Sequence, residues 1–155
     1  MDELTQEERF IEEFGMFLER VGFARIAGRI LGLLLLSGEA MHLEQLARQL
    51  QVSKASISTN TRILVSVSII QEYTRPGDRR SWFRVAPDAF IKRLDFVIAQ
   101  FQALHIMLKQ GLELVPPERT VAHTRLTEAV DFHAFMLVEL EQVLARWNRR
   151  RENES

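Results

Sequence analysis

Apolar residues return at helical intervals from the first segment of the chain. Phe10, Phe14, Phe17 and Val21 recur at 4-3-4 spacing, with Ile11 and Leu18 widening the stripe. Thr5 and Glu8 form a capping box ahead of them, and Gly22 closes the segment, so a helix is expected over 5–21. Residues 24–36 are apolar nearly all round, as in a helix at the centre of a core, and Ser37-Gly38-Glu39 ends them. A short amphipathic helix follows from His42 to Leu50, carried by Leu43, Leu46, Ala47 and Leu50. After the turn Gln51-Val52-Ser53, Ser53 is placed to cap a third helix running from Lys54 to about Val67. The β-branched run 63–70 fits a helix end or a strand, and the switch is set near Ser68. Strands over 69–75 and 81–86 then flank the turn signal Pro76-Gly77-Asp78.

The last third holds two long helical patterns. Phe90, Leu94, Val97, Phe101, Leu104 and Leu108 form one seam, interrupted by Gly111 and by Val115-Pro116-Pro117. Leu126, Val130, His133, Leu137, Leu140, Leu144 and Trp147 form the other, and a charged tail from Asn148 is expected to fray. Two such seams and the first helix expose more apolar stripe than one small core can cover, which points to a homodimer.

The order of helix, short helix, turn, polar-faced helix and basic hairpin is that of a winged helix-turn-helix: mainly α, with a two-stranded wing and long terminal helices. A recognition helix needs short polar side chains near its start, because base edges in the major groove lie close to the backbone. Lys54, Ser56, Thr59 and Asn60 lie near one face there, with Arg62 a turn further on, while Ile57, Thr61 and Leu64 are expected to face inward. Small hydroxyl residues are mediocre helix formers, so something other than propensity favours them here. The hairpin carries Arg75, Arg79, Arg80 and Arg84, which can reach phosphates and an adjacent minor groove. Arg25, Arg29 and Arg48 are weaker candidates, some of them paired with acids such as Glu39 and Glu44.

Three motifs carry a family resemblance. The start of the third helix, Val52-Ser53-Lys54-Ala55-Ser56-Ile57-Ser58, the segment from Gly28-Arg29 to Ser37, and the wing sequence Gly77-Asp78-Arg79-Arg80-Ser81 together resemble the MarR superfamily, in its GbsR-like branch. The resemblance is close over residues 9 to about 86 and extends to the C-terminal helices in pattern only. It implies a homodimeric transcription regulator, usually a repressor, on a palindromic operator. It further implies that Arg80 enters the minor groove with Asp78 orienting it, and that the N- and C-terminal helices build the dimer. Phe10, Phe14 and Phe17 would then belong to the dimer contact, with Leu126, Val130, Leu137, Leu140, Leu144 and Trp147. The domain reading is 1–23 for dimerisation, 24–86 for DNA binding and 87–155 for dimerisation. The chain departs from the family at Ser68, where winged helices usually carry Gly, and at Ile63, Val65 and Val67, which are usually charged. Either another helix covers that face or the third helix ends early.

Net charge changes the picture only when split along the chain. Residues 1–23 carry seven acids and two bases, residues 24–86 nine bases and four acids, and residues 87–155 nine bases and ten acids. The excess of positive charge therefore sits where a polyanion would dock. A winged helix serving only as a protein–protein module, the alternative reading, would not require it. The absence of Cys excludes disulfides, thiolate metal sites and cysteine chemistry. With no phosphate loop, no metalloprotease motif and no nucleophile beside a base, no enzyme and no cofactor are expected. The longest uncharged apolar run, 30–38, is about half of a bilayer crossing, and the acidic start lacks a signal peptide's basic region. A cytoplasmic protein without membrane contact is expected.

Some GbsR-like regulators sense quaternary ammonium compounds, and ten Phe invite a cation-binding cage as the effector site. Most of these Phe fall at core spacing, however, and only Trp82, Trp147 and Tyr73 remain of the aromatics that cages favour. Asp131, His133 and His123 match no metal-ligand spacing, and His105 and His133 on apolar seams read as core residues.

Overall fold

The computed structural model describes residues 4–154 as a mainly helical chain with one small antiparallel sheet. The elements are α1 (Gln6–Arg20), α2 (Arg25–Ser37), β1 (Met41–His42), α3 (Leu43–Leu50), α4 (Lys54–Ser66), β2 (Ile70–Thr74), β3 (Ser81–Val85), α5 (Ala89–Glu113) and α6 (Thr120–Glu154). They divide into two compact units, the first ending at Phe90 and the second beginning at Ile91.

In the first unit the capping box forms as the sequence requires. The Glu8 amide donates to Thr5 Oγ1 at 3.2 Å, and the Thr5 amide donates to Glu8 Oε2 at 2.8 Å. Ile11 and Leu18 bury one face of α1 against α2. The two backbones touch at Gly28, where a Cβ would lie 2.6 Å from both Gly15 Cα and the Phe14 carbonyl oxygen. Ile30 and Leu34 of α2, Leu46 of α3, Ile57 and Leu64 of α4 and Ile70 of β2 make the fully buried centre of the winged helix. Thr61 joins them, its hydroxyl donating to the Ile57 carbonyl at 2.9 Å.

The expected two-stranded wing gains a third strand. Met41 and His42 pair with Phe83 and Trp82, giving the order β1-β3-β2. Two residues show no alternation to read, and the same His42 stands at the start of α3, where the sequence put it in the helix. Helix α4 ends at Ser66, and Ser68 takes the left-handed conformation with φ of +59°. Ile63 is exposed among the described residues, while Val65 packs on the core. A serine Cβ in that conformation costs roughly 1 kcal/mol relative to glycine. Ser68→Gly should therefore raise stability by up to about 0.5 kcal/mol after the entropy of the freer unfolded chain is deducted. Thermal melting measures this, and a lowered midpoint would show that the site is unstrained.

In the second unit, Gly111 lies inside α5 rather than interrupting it. One glycine costs a helix interior only about 1 kcal/mol, and Leu126 would meet a Cβ there at an ordinary 3.6 Å. The break falls at residues 114–119, around the two prolines. The tail expected to fray is helical through Glu154, with Arg150 Nε donating to Glu154 Oε1 at 2.9 Å one turn on. Phe101 of α5 stacks near His133 of α6, ring centres 5.2 Å apart. The row Leu126, Val130, His133, Leu137, Leu140 and Leu144 is half-buried, and no described residue of α6 is fully buried. Among the described residues, no helix is long and apolar enough to cross a membrane.

Candidate nucleic-acid interface

Helix α4 begins where Ser53 stops the preceding turn. Its hydroxyl accepts from the Ser56 amide at 3.2 Å, satisfying a helix-start donor that would otherwise be orphaned. The helical period then sorts the polar run. Lys54, Thr59 and Arg62 are exposed and Ser56 is half-buried. Asn60 departs from the exposed position expected of it. It is 6% accessible, and its Nδ2 donates to the Ser56 carbonyl at 2.8 Å while Oδ1 lies buried without a partner. The reason is spacing: Ile57, Asn60 and Leu64 share the inward stripe, and a short amide can be turned back onto its own helix there. Ala55 and Ser58 join the outward face instead, Ala55 exposed and Ser58 half-buried. Ser58 Oγ accepts from Arg62 Nη2 at 3.1 Å and steadies that guanidinium, while the Thr59 hydroxyl donates to the Ala55 carbonyl at 3.1 Å.

The wing turns at Arg75-Pro76-Gly77-Asp78, with φ of +77° at Gly77 and the Asp78 amide donating to the Arg75 carbonyl at 3.0 Å. Pro second and a positive-φ Gly third are what a type II turn demands. Asp78 organises the tip. Its Oδ1 accepts from the Arg80 amide at 3.0 Å and from Arg80 Nε at 2.9 Å. Its Oδ2 accepts from Arg80 Nη2 at 2.7 Å and from Trp82 Nε1 at 3.0 Å. The Arg80 guanidinium and amide, together with the Trp82 N–H, hold the Asp78 carboxyl well below the usual carboxylate range, and Asp78 in turn raises Arg80. The Arg75 guanidinium lies 3.4 Å from the centre of the Trp82 ring, so that side chain is stacked rather than free. Arg84 bonds Gln71 Oε1 and faces the Tyr73 ring at 5.1 Å. Arg79 is exposed, with no protein partner among the described residues.

One histidine that the sequence did not single out joins wing to helices. His42 Nε2 lies 3.1 Å from Arg80 Nη1, and its Nδ1 lies 2.9 Å from Glu44 Oε2. Glu44 Oε1 accepts from Lys54 Nζ at 3.2 Å, at the first residue of α4. The helix-start amide of Glu44 itself, then Lys54 and His42, lower this carboxyl to about 2. Its neighbours Glu44 and Gln45 do not mark His42 as a wing contact, because Arg80 and Trp82 come from some forty residues further along the chain. The weaker candidates Arg25 and Arg29 do pair with an acid, Glu12 of α1, at 2.9 and 2.6 Å, rather than with Glu39 or Glu44.

The three aromatics of the kinds that cages favour each face an arginine. Trp82 carries Arg75, Tyr73 carries Arg84, and Trp147 has Arg150 at 5.9 Å. His133 Nδ1 donates to the Ala129 carbonyl at 2.8 Å. Among the described residues, no three His, Asp or Glu side chains are grouped to hold a metal.

The chain is 34% identical over 145 residues to the HTH-type transcriptional regulator MmpR5 of Mycobacterium tuberculosis, spanning 91% of this chain and 86% of that one. Residues 88–151 match the model of the MmpR5-like MarR family transcriptional regulators. A solved structure described as a transcriptional regulator superposes with a TM-score of 0.80 at 33% identity, over 94% of this chain and 99% of that one. The GbsR-like branch suggested by the motifs is not the group these matches name.

Proposed function

The chain belongs to the MarR family of helix-turn-helix transcriptional regulators, and on that premise we propose that it binds duplex DNA sequence-specifically as a homodimer. In this reading it represses transcription in the cytoplasm until a small molecule releases it. The observation that carries the reading is one unit presenting both an outward polar face of α4 and a basic wing tip built around Asp78. Lys54, Ser56, Thr59 and Arg62 would meet the major groove, with Ala55 and the Thr59 methyl suited to thymine methyl groups. Arg75 and Arg79 would contact phosphates, and Arg80, oriented by Asp78, would enter the minor groove. Asn60 would shape the helix from within rather than read bases. The segment 24–86 would carry DNA binding, with 1–23 and 87–155 supplying dimer contacts. An effector would act by binding one spacing of the two recognition helices better than the other.

Selection from a random duplex library at near-physiological salt tests this. A palindrome should emerge with half-sites one helical turn, ~34 Å, apart. Affinity for it should fall steeply with salt, by a log–log slope of about −0.9 for each phosphate neutralised. No enriched motif, with weak binding erased by salt, would leave a protein-interaction module as the better reading.

A further inference from the structure

We infer that His42 is a positioning residue for DNA binding: it locks the wing arginine to the helix-turn-helix, joining Arg80 through Glu44 to Lys54 at the start of α4. The inference rests on the DNA-facing role proposed for Arg80.

The chemistry of the partners fixes the imidazole. A guanidinium only donates, so Nε2, at 3.1 Å from Arg80 Nη1, must be the bare, accepting nitrogen. The proton of the neutral ring then sits on Nδ1 and is donated to Glu44, whose low pKa keeps it an acceptor. The ring is held from other sides too. His42 is buried, its ring stands edge-on to Trp82 at 5.0 Å, and its amide donates to Gln45 Oε1 at 3.1 Å.

The consequence lies in what each bond spans. Asp78 and Arg80 are two residues apart, so their bidentate pair orients the guanidinium within the wing but cannot fix the wing itself. The His42–Arg80 contact bridges 38 residues of chain, from the wing tip to the strand that opens α3. Asp78 uses Nε and Nη2, and His42 takes Nη1. The guanidinium is thereby held on both sides while its side chain stays 53% exposed. A hydrogen-bonded chain thus runs Lys54–Glu44–His42–Arg80–Asp78–Trp82, with the recognition helix at one end and the wing at the other. Such a chain pre-orders two DNA-facing elements before DNA arrives.

The test uses the full chain and a fluorescein-labelled duplex carrying the motif enriched by the selection above. His42→Gln keeps an acceptor at the reach of Nε2, whereas His42→Asn keeps a group near Nδ1 and loses the acceptor. His42→Asn should weaken binding about five- to ten-fold, within the net worth of one intramolecular hydrogen bond, and His42→Gln should stay within about two-fold. In an Arg80→Ala background, His42→Asn should cost nothing further. Nitrogen-15 NMR of the native imidazole should show Nδ1 protonated and Nε2 bare, a readout that needs neither DNA nor a folded variant. An Nε2–H tautomer overturns the inference, as does a folded His42→Asn protein that binds like wild type. A His42→Asn loss of equal size without Arg80 overturns it too. If Arg80→Ala itself binds like wild type, the role of Arg80 falls first, separately from the tautomer.

Discussion

Arg80→Ala should lower affinity for the selected operator by about ten- to a hundred-fold, corresponding to the loss of about one charge-assisted hydrogen bond at 1.5–3 kcal/mol. The wing is built to present this side chain. Two of its nitrogens are pinned by Asp78 and a third by His42, yet half of it remains exposed. A guanidinium already ordered loses little entropy on entering a narrow minor groove, whose negative potential rewards the charge. Folding should barely change. The pair with Asp78 is exposed, and exposed ion pairs contribute about 0–1 kcal/mol. Asp78 also keeps the Trp82 N–H as a partner when Arg80 is gone. Arg79→Ala provides the contrast, because an unpartnered arginine reaching only phosphate should weaken selected and scrambled duplexes alike. Fluorescence anisotropy on both duplexes, with a melting curve for each variant, makes the distinction. Selected-duplex affinity unchanged by Arg80→Ala would remove the arginine from the interface.

The elements nearest the DNA were the most legible, because their signals are local. A Ser cap before a polar helix and a Pro-Gly turn between two strands each act within four residues, and both stand where the sequence implied. In α4, polarity alone does not set a side chain's direction. Asn60 is polar and was expected outside, but it lies three residues after Ile57 and four before Leu64, and that spacing turns it inward. The strand Met41–His42 was illegible for another reason: two residues carry no period, and their pairing depends on β3 some forty residues later. His42 was missed with it. In the last third the 3-4 seam divides the α6 surface: Leu126, Leu137 and Leu140 are half-buried, and His133 on the same row meets Phe101 of α5. The family match at 88–151 falls in this same region, where only the pattern, and no motif, had been readable.

That division of the α6 surface decides the second large prediction. Val121, Phe132, Phe135, Val138, Val143 and Trp147 are exposed, although all six are apolar. The 35-residue α6 has no fully buried residue among those described, so much of its apolar surface is open to a partner. Water-exposed apolar area of this extent marks an interface, and in the proposed dimer it is the surface to be covered. Phe135→Asp should therefore raise the dimer dissociation constant by at least about a hundred-fold, because a carboxylate desolvated without a partner costs about 3 kcal/mol or more. Operator affinity should collapse with it, since two half-sites a helical turn apart are bound together only by a linked pair. Leu137→Asp differs in kind: Leu137 lies on the half-buried row, so that change should lower the melting temperature as well as the mass. Sedimentation velocity at micromolar concentration separates the two cases. A Phe135→Asp protein of wild-type mass and wild-type operator affinity would mean that the dimer, if formed, is held by some other surface, with Phe10 and Phe17 of α1 the next exposed aromatics to replace.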